Sequence, residues 1–433
     1  MNKKLFTIFL ILIISFDTIP CKNLVSMGDA TITTINSDDE SALLNAVTTL
    51  NKNGGVIYIN TSIIKISSLN TIELSGTKSG GIVGMKQADG SYPRINFWNA
   101  RNKRSTARGF TITGSNQYMK FLIIEHAGDN GICINGSKNT LDHIITRYNN
   151  NSGIQLSNNA NSNTLNYCYS YRNCDIKTYG ANADGFSQKL GVTNTVFNYC
   201  FSWDNSNDGW GSFDNPGDVS ASVQYLHSAC WNNGNPDVFI GKYDYNLGRP
   251  LDHNMLTILH IITSFPSFEA RIRSHNSPFM IDGAKIAGMP AKTWLAKAQA
   301  EMNGDGFKLG SINTPQSTSI YRKAVYSVAF RNKKQGFSNN NSKGIRGYFS
   351  NCVSFGNNIN YQLPYVFEKW ERNWSWDAIK ADQFEQKQSL LTPKDKEAAQ
   401  KPFFSIIGKI KSNCASNKFD DSVNFDNAIK SLV

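Results

Sequence analysis

Residues 200–205 read Cys-Phe-Ser-Trp-Asp-Asn, and the same phrase recurs at Ile144–Asn149 (IITRYN), Cys168–Asn173 (CYSYRN), Cys230–Asn235 (CWNNGN), Ser327–Asn332 (SVAFRN) and Cys352–Asn357 (CVSFGN). Each opens on Cys, Ser or Ile and closes five residues later on asparagine. A second marker keeps the same beat. A glycine followed by a large apolar residue stands at Gly109-Phe110, Gly131-Ile132, Gly153-Ile154, Gly185-Phe186, Gly209-Trp210, Gly306-Phe307 and Gly336-Phe337, with first spacings of 22, 22, 32 and 24 residues. A fixed period in this range is the signature of a solenoid, in which every unit lies on the one before it.

Within each unit apolar and polar residues alternate, as in NYCYSY, which is a strand pattern and not a helical one. Strands joined by Gly, Asn, Asp and Ser turns, with no crossover helices, predict an all-β chain wound as a right-handed parallel β-helix. The asparagines suit its corners: Asn tolerates the left-handed turn conformation, and its amide both donates to and accepts from the turns above and below. Cys168, Cys200, Cys230 and Cys352 share one phase and read as a small apolar stack facing inward. Residues 39–53 (DDESALLNAVTTLNK) predict an amphipathic helix that caps the open end of the solenoid. Coils are expected from about residue 56 to 236 and again from Gly306 to about 363. Residues 237–303 form an insertion with a helix near Pro290, whose Trp294, Leu295, Ala298 and Met302 share a face. The charged segment 364–433 lacks the repeat and is expected to fold back along the solenoid or cap it.

Met1-Asn2-Lys3-Lys4 followed by the apolar run Leu5–Phe16 reads as a secretory signal over residues 1–21, too short to span a bilayer. Cys21 is a candidate lipidation site behind a poor lipobox. The remainder, 22–433, is expected to be one domain, monomeric, and secreted or held at the cell surface. Seven cysteines remain beyond Cys21, an odd number that argues against a complete disulfide framework, although Cys168 and Cys174 are close enough in sequence to pair. The net charge of +11, with 12% aromatic residues, suits a polyanionic partner such as an acidic polysaccharide. No nucleic-acid module is present. Surface lysine that merely aids solubility accounts for the charge equally well.

Three unit boundaries carry an acid: Ala183-Asp184-Gly185-Phe186, Asn207-Asp208-Gly209-Trp210 and Gly304-Asp305-Gly306-Phe307-Lys308. An isolated Asp-Gly is usually a turn. Stacked about 4.8 Å apart, however, Asp184 and the Asn207-Asp208 pair make a hard oxygen cluster suited to Ca²⁺. Lys308 follows in the same phase, and a lysine beside bound cations has its pKa depressed and serves as a general base.

NADGF (182–186), NSNDGW (205–210), NGDGFKLG (303–310) and GFSNNN (336–341) resemble the family 9 polysaccharide lyases, pectate-lyase-like enzymes on right-handed β-helices. The resemblance covers roughly residues 80–365. It implies Ca²⁺-dependent β-elimination on a uronic-acid polymer, with Lys308 as catalytic base and Asp184, Asn207 and Asp208 at ligand positions. The chain departs from the family pattern twice. Asn207 stands where an acid is expected, and Gly211 where a further acid follows the aromatic residue; Asp204 and Asp214 are the neighbours able to compensate. Lys189 (in GFSQKLG) is a candidate substrate contact. The resemblance implies pectate as the substrate, with the alternating rhamnogalacturonan backbone as the alternative. A polygalacturonase-type hydrolase lacks its Asn-Thr-Asp, Asp-Asp and Gly-His-Gly motifs here, and a non-catalytic polysaccharide-binding solenoid is the other rival.

Overall fold

The computed structural model describes residues 30–102, 106–175, 177–213, 222–235, 243–244, 249–250, 285–286, 289–310, 320–339, 345–364 and 366–432. The signal segment, Cys21, Asp214 and most of the 237–303 insertion lie outside them. The described chain is a parallel β-helix with three strands per turn. One turn runs Thr164–Asn166, Tyr169–Tyr171, Phe186–Lys189, and the next Thr195–Asn198, Phe201–Trp203, Trp210–Phe213. Equivalent strands pair in parallel, so Tyr169, Phe201, Ala229, Val328, Val353 and Trp374 form one column of the second sheet. Among the described residues the third sheet contains ten strands, from Ile72–Leu74 to Gln383–Phe384.

The corner after the second sheet explains the recurring asparagine. Asn149, Asn173, Asn205, Asn233, Asn332 and Asn357 are buried and hand their side-chain amides from turn to turn, at 3.0, 2.9, 3.1, 2.9 and 3.1 Å. Each acceptor oxygen also takes the backbone N–H of the asparagine one turn earlier, at 2.8 to 3.2 Å. Two expectations are corrected here. The left-handed position is occupied not by these asparagines but by the residue before each, as at Arg172, Asp204 and Arg331 with φ of 54°, 56° and 52°. The unit around Cys230 is also out of phase. Cys230 pairs with Ser202 and Ala329, Ser228 takes the position of Cys200, and the ladder residue is Asn233 rather than Asn235. All seven described cysteines are buried and free. Cys168 packs inside the solenoid and Cys174 in a separate cluster outside it, so the two do not pair.

The first turn starts earlier than expected, because strand Thr31–Ile35 precedes the capping helix and pairs with Gly55–Ile59. The helix spans Glu40–Asn53, with the Asp39 carboxylate accepting from the Ala42 N–H at 2.9 Å and Gly54 ending it at φ 74°. It lowers Leu43, Ala46, Val47 and Leu50 onto the open end. The solenoid also extends past residue 363: Val366–Glu371, Trp374–Trp376 and Gln383–Phe384 complete a further turn. The C-terminal helix Lys396–Ala415 and the short helix Asp426–Lys430 then fold back along the second sheet. They cover an outer aromatic column running Tyr171, Trp203, Trp231, Phe330, Phe355 and Trp376 at centroid spacings of 4.4 to 5.8 Å. From the insertion, helix Ala291–Glu301 and the residue after it bury Trp294, Ala298 and Met302 in the same cluster, while the Leu295 side chain lies outside the described residues.

The ladder assignment is testable by comparing two asparagines two residues apart. Asn233→Ala strands the buried backbone N–H of Asn205 and removes one bond each from the Asn205 amide and Asn332 Oδ1, and is expected to cost about 3 kcal/mol, since a buried unpaired group costs about 1–3 kcal/mol and each lost bond adds to it. Asn235→Ala, at a half-buried position outside the ladder with its amide on Asn232, should shift the urea midpoint less. Equal shifts would reinstate the original phase.

Candidate active site

Four successive turns enter the third sheet through a glycine and a ring. Phe186, Trp210, Phe307 and Phe337 stack inside the solenoid at 4.8, 4.5 and 4.8 Å, locking successive strands in phase. The residues after the rings, Ser187, Gly211, Lys308 and Ser338, therefore form one row on the outer face. The residues before the glycines form a second row, Asp184, Asp208 and Asp305, fixed by Gly185 N–H to Asp208 O at 2.9 Å and Gly209 N–H to Asp305 O at 2.8 Å. A Cβ on Gly209 would lie 2.6 Å from the Gly306 carbonyl oxygen, so close packing demands the glycine that makes each acid an Asp-Gly.

The row is densely bonded. Asp184 Oδ1 accepts from the Asn207 amide at 2.8 Å and the Asp208 N–H at 3.1 Å, and Oδ2 accepts from the Ser187 hydroxyl at 2.8 Å. Asp208 Oδ1 accepts from the Asp305 N–H at 2.8 Å and the Asn303 amide at 3.1 Å. Its Oδ2 is buried without an aligned hydrogen bond and lies 3.2 Å from Lys308 Nζ. Asp305 Oδ1 accepts from the Gln335 N–H at 3.0 Å. Burial, and after it the charge of Asp208, pushes Asp184 up to about 6 and Asp305 up to about 7. Burial disfavours the charge on Lys308, but Asp208, then Asp184 and Asp305, outweigh it and hold the ammonium well above its ordinary value. Lys308 is thus the counter-ion of the row. The depressed lysine base expected from the sequence requires positive charge among these carboxylates.

Asp184, Asn207, Asp208 and Lys308 come together as the repeat implies. Lys189 lies at the far end of the Phe186–Lys189 strand on the same face, and its charge reaches Asp184. Asn207 turns its amide to Asp184 and its carbonyl to the Asn303 N–H, at 3.2 Å. A Cβ on Gly211 would lie 2.2 Å from Asp184 Oδ2, so the Asp184 carboxylate fills the space where a side chain at 211 would begin. Asp204 does not compensate: it lies outside the second sheet, paired with Lys411 at 3.1 Å and bonded by the Asn232 amide at 2.7 Å. Sequence reasoning marked Asp305 as an in-phase unit boundary but left it out of the ligand set. It also missed Asn303, which no local pattern marks.

Among the described residues no three acidic, His or Cys side chains converge closely enough to form a ready-made metal centre. Asp208 faces Lys308, and Asp184 faces Asn207 and Ser187. The donor set nevertheless fits a hard divalent cation such as Ca²⁺. Its oxygens are carboxylates, three negative charges are buried against one ammonium, and Asp208 Oδ2 lacks an aligned donor. An ion held there would compete with Lys308 for Asp208.

The model of the Pel9A-like, right-handed β-helix region matches residues 27–244, just over half of the chain. The chain belongs to that family. Among proteins similar to this Pel9A-like chain are pectate lyase L of Dickeya chrysanthemi, 29% identical over 255 residues, and pectate lyase L of Paenibacillus polymyxa (strain SC2), 27% identical over 331 residues. The matches cover 58% and 73% of this chain but only 44% and 59% of those proteins. The crystal structure of pectate lyase Pel9A superposes with a TM-score of 0.54 at 22% identity, covering 86% of this chain and 81% of its own, which establishes the shared fold. The described helices contain none long and apolar enough to cross a membrane.

The carboxylate row predicts a pH signature. Asp305 has a raised folded-state pKa, so the folded state holds a proton that the unfolded state loses, and stability falls as pH rises from about 4 to about 7. In chelator, the thermal midpoint of Asp305→Asn should gain on wild type across that window and stay level beyond it. A constant difference between the two proteins at every pH would contradict the assignment.

Proposed function

We propose that the protein is a polysaccharide lyase that cleaves galacturonate-containing pectin by β-elimination, and that it uses Ca²⁺. The observation that carries this is the pairing of Lys308 with Asp208 inside a row of carboxylates on the outer face of the third sheet, in a chain of the Pel9A-like family. A uronate C5–H is weakly acidic, and its removal needs a base and a way to bear negative charge beside the C6 carboxylate. Asp184 and Asp208, with Asn207 and Asp305 beside them, would hold Ca²⁺, which would supply positive charge to screen the substrate carboxylate and to weaken the pull of Asp208 on Lys308.

Lys308, neutral, takes the C5 proton. The C–H electrons form the C4–C5 double bond, the C4–O4 bond breaks with its electrons on oxygen, and solvent returns a proton to O4. Asn303 holds Asp208 in place from the neighbouring turn. Lys189 adds positive charge along the face for an anionic chain, and the net charge of +11 favours the encounter. Action on a cell-wall polymer accords with a secreted or cell-surface location. Homogalacturonan and the rhamnogalacturonan backbone present the same reacting galacturonate. The second substrate gains from Asn303, at the end of the insertion, reaching into the row.

Purified protein with Ca²⁺ at alkaline pH is expected to release unsaturated uronate, read by its ultraviolet absorbance, from one of these two polymers. Silence on both, with and without Ca²⁺, would falsify the proposal. Lys308→Ala should lower kcat at least ~100-fold, the usual worth of a positioned general base, with the folded circular-dichroism spectrum retained. Excess chelator should abolish turnover, and added Ca²⁺ restore it; full activity in chelator would remove the ion from the mechanism.

A further inference from the structure

The strand pair that opens the carboxylate row continues past it on the same face. Phe186–Lys189 and Trp210–Phe213 run in parallel register, with Ser187 opposite Gly211 and Lys189 opposite Phe213. Phe186 and Trp210 stack inside the solenoid, and Gln188 donates to the Ser212 and Tyr225 hydroxyls within it. Alternation therefore turns Lys189 and Phe213 outward, beside Ser187 and Gly211. Their backbones are one strand spacing apart, about 4.8 Å, and lie two residues, about 6.6 Å, along the strands from Ser187 and Gly211.

Both side chains are unengaged. Among the described residues no ring or cation stacks on Phe213, which is 44% exposed, and the half-buried Lys189 makes no side-chain ion pair or hydrogen bond. The positive charge of Lys189 acts on Asp184 and on Cys133, two turns before it and on the side away from Phe213. No side chain at 211 separates the ring from the Asp184 carboxylate. A single exposed ring is ordinary on a protein surface. This one adjoins an unpaired cation on the face that carries Lys308.

We propose that Lys189 and Phe213 form a sugar subsite flanking the reacting row, in which Phe213 carries an uncharged sugar on its ring and Lys189 takes the carboxylate of the uronate next to it. The subsite rests on the lyase reading and narrows its substrate to a backbone in which neutral sugars alternate with galacturonate. An aromatic ring suits the apolar face of a sugar. It offers no partner to a carboxylate, and a carboxylate pressed against it loses water without compensation. Every sugar of homogalacturonan brings such a carboxylate. In the rhamnogalacturonan backbone every second sugar is an uncharged deoxy sugar, whose methyl group adds apolar surface for the ring. One cation beside one bare ring therefore matches the alternation of charge along that polymer.

The test reads binding without turnover. The full-length Lys308→Ala protein is titrated by calorimetry, with Ca²⁺ and at constant ionic strength, with homogalacturonan and rhamnogalacturonan oligosaccharides of equal length. The rhamnogalacturonan oligosaccharide should bind the more tightly. Adding Phe213→Ala should weaken it at least about fivefold, the worth of one stacked ring, and leave the homogalacturonan oligosaccharide within about twofold. Phe213→Tyr, which keeps the ring, should bind as its parent does, and Lys189→Gln should weaken both ligands. The proposal is overturned if neither oligosaccharide binds, if the two bind equally, if Phe213→Ala weakens both alike or neither, or if Lys189→Gln changes nothing. The lyase reading fails separately, when the wild-type protein releases no unsaturated product from either polymer, and the binding comparison decides the subsite in that case too.

Discussion

Parallel strands stacked in register, about 4.8 Å apart, force like to meet like. Whatever occupies one position of a turn faces its counterpart above and below. A buried polar residue therefore survives only if it can satisfy a copy of itself. Asparagine does so, because its amide is donor at one end and acceptor at the other. From Asn149 to Asn357 the corner of the solenoid is a chain of such exchanges, and the rest of the turn is positioned by it. The left-handed residues before the ladder, strained for Arg or Asp, are held by these bonds on the following residue.

The same constraint turns unfavourable when the repeated residue carries a charge. Asp184, Asp208 and Asp305 have the burial of the asparagines without their complementarity. The backbone N–H groups, Asn207 and Ser187 soften the repulsion, and Lys308 offsets one charge. What remains is a deficit of positive charge concentrated on one face. A fold that tolerates such a row spends stability to keep a site poised, the usual relation between local strain and function.

The architecture was legible because period, alternation and corner residues all speak through spacing. The errors have local causes. Asn232, Asn233 and Asn235 crowd one corner, and only pairing shows that Ser228 sets the phase and Asn233 joins the ladder. The strand Thr31–Ile35 is separated from its partner by the capping helix, so no repeat announced it. In the site, Asp184, Asp208 and Lys308 followed from phase alone. Asn303 did not, since it enters from the insertion. The role of Gly211 was also hidden, because a missing side chain says nothing about which neighbour uses its space. Asp204 shows the converse. It stands close to Asp208 in the chain, but the ladder corner at Asn205 lies between them. Asp204 therefore faces Lys411 while Asp208 faces Lys308.

The C-terminal helices have a consequence for how the molecule comes apart and together. A bare solenoid is a row of nearest-neighbour contacts and can fray from either end. Here Phe403 rests on Phe355, Phe425 on Phe201 and Trp231, and Asp421 on His143. One segment thus grips turns that are more than 200 residues apart in the chain. It acts as a lengthwise splint, converting local melting into an all-or-none event. Because the splint is made after every turn it binds, the finished cooperativity is acquired late in synthesis, and nascent turns must persist until then on the strand pairing, ladder bonds and packing within the solenoid.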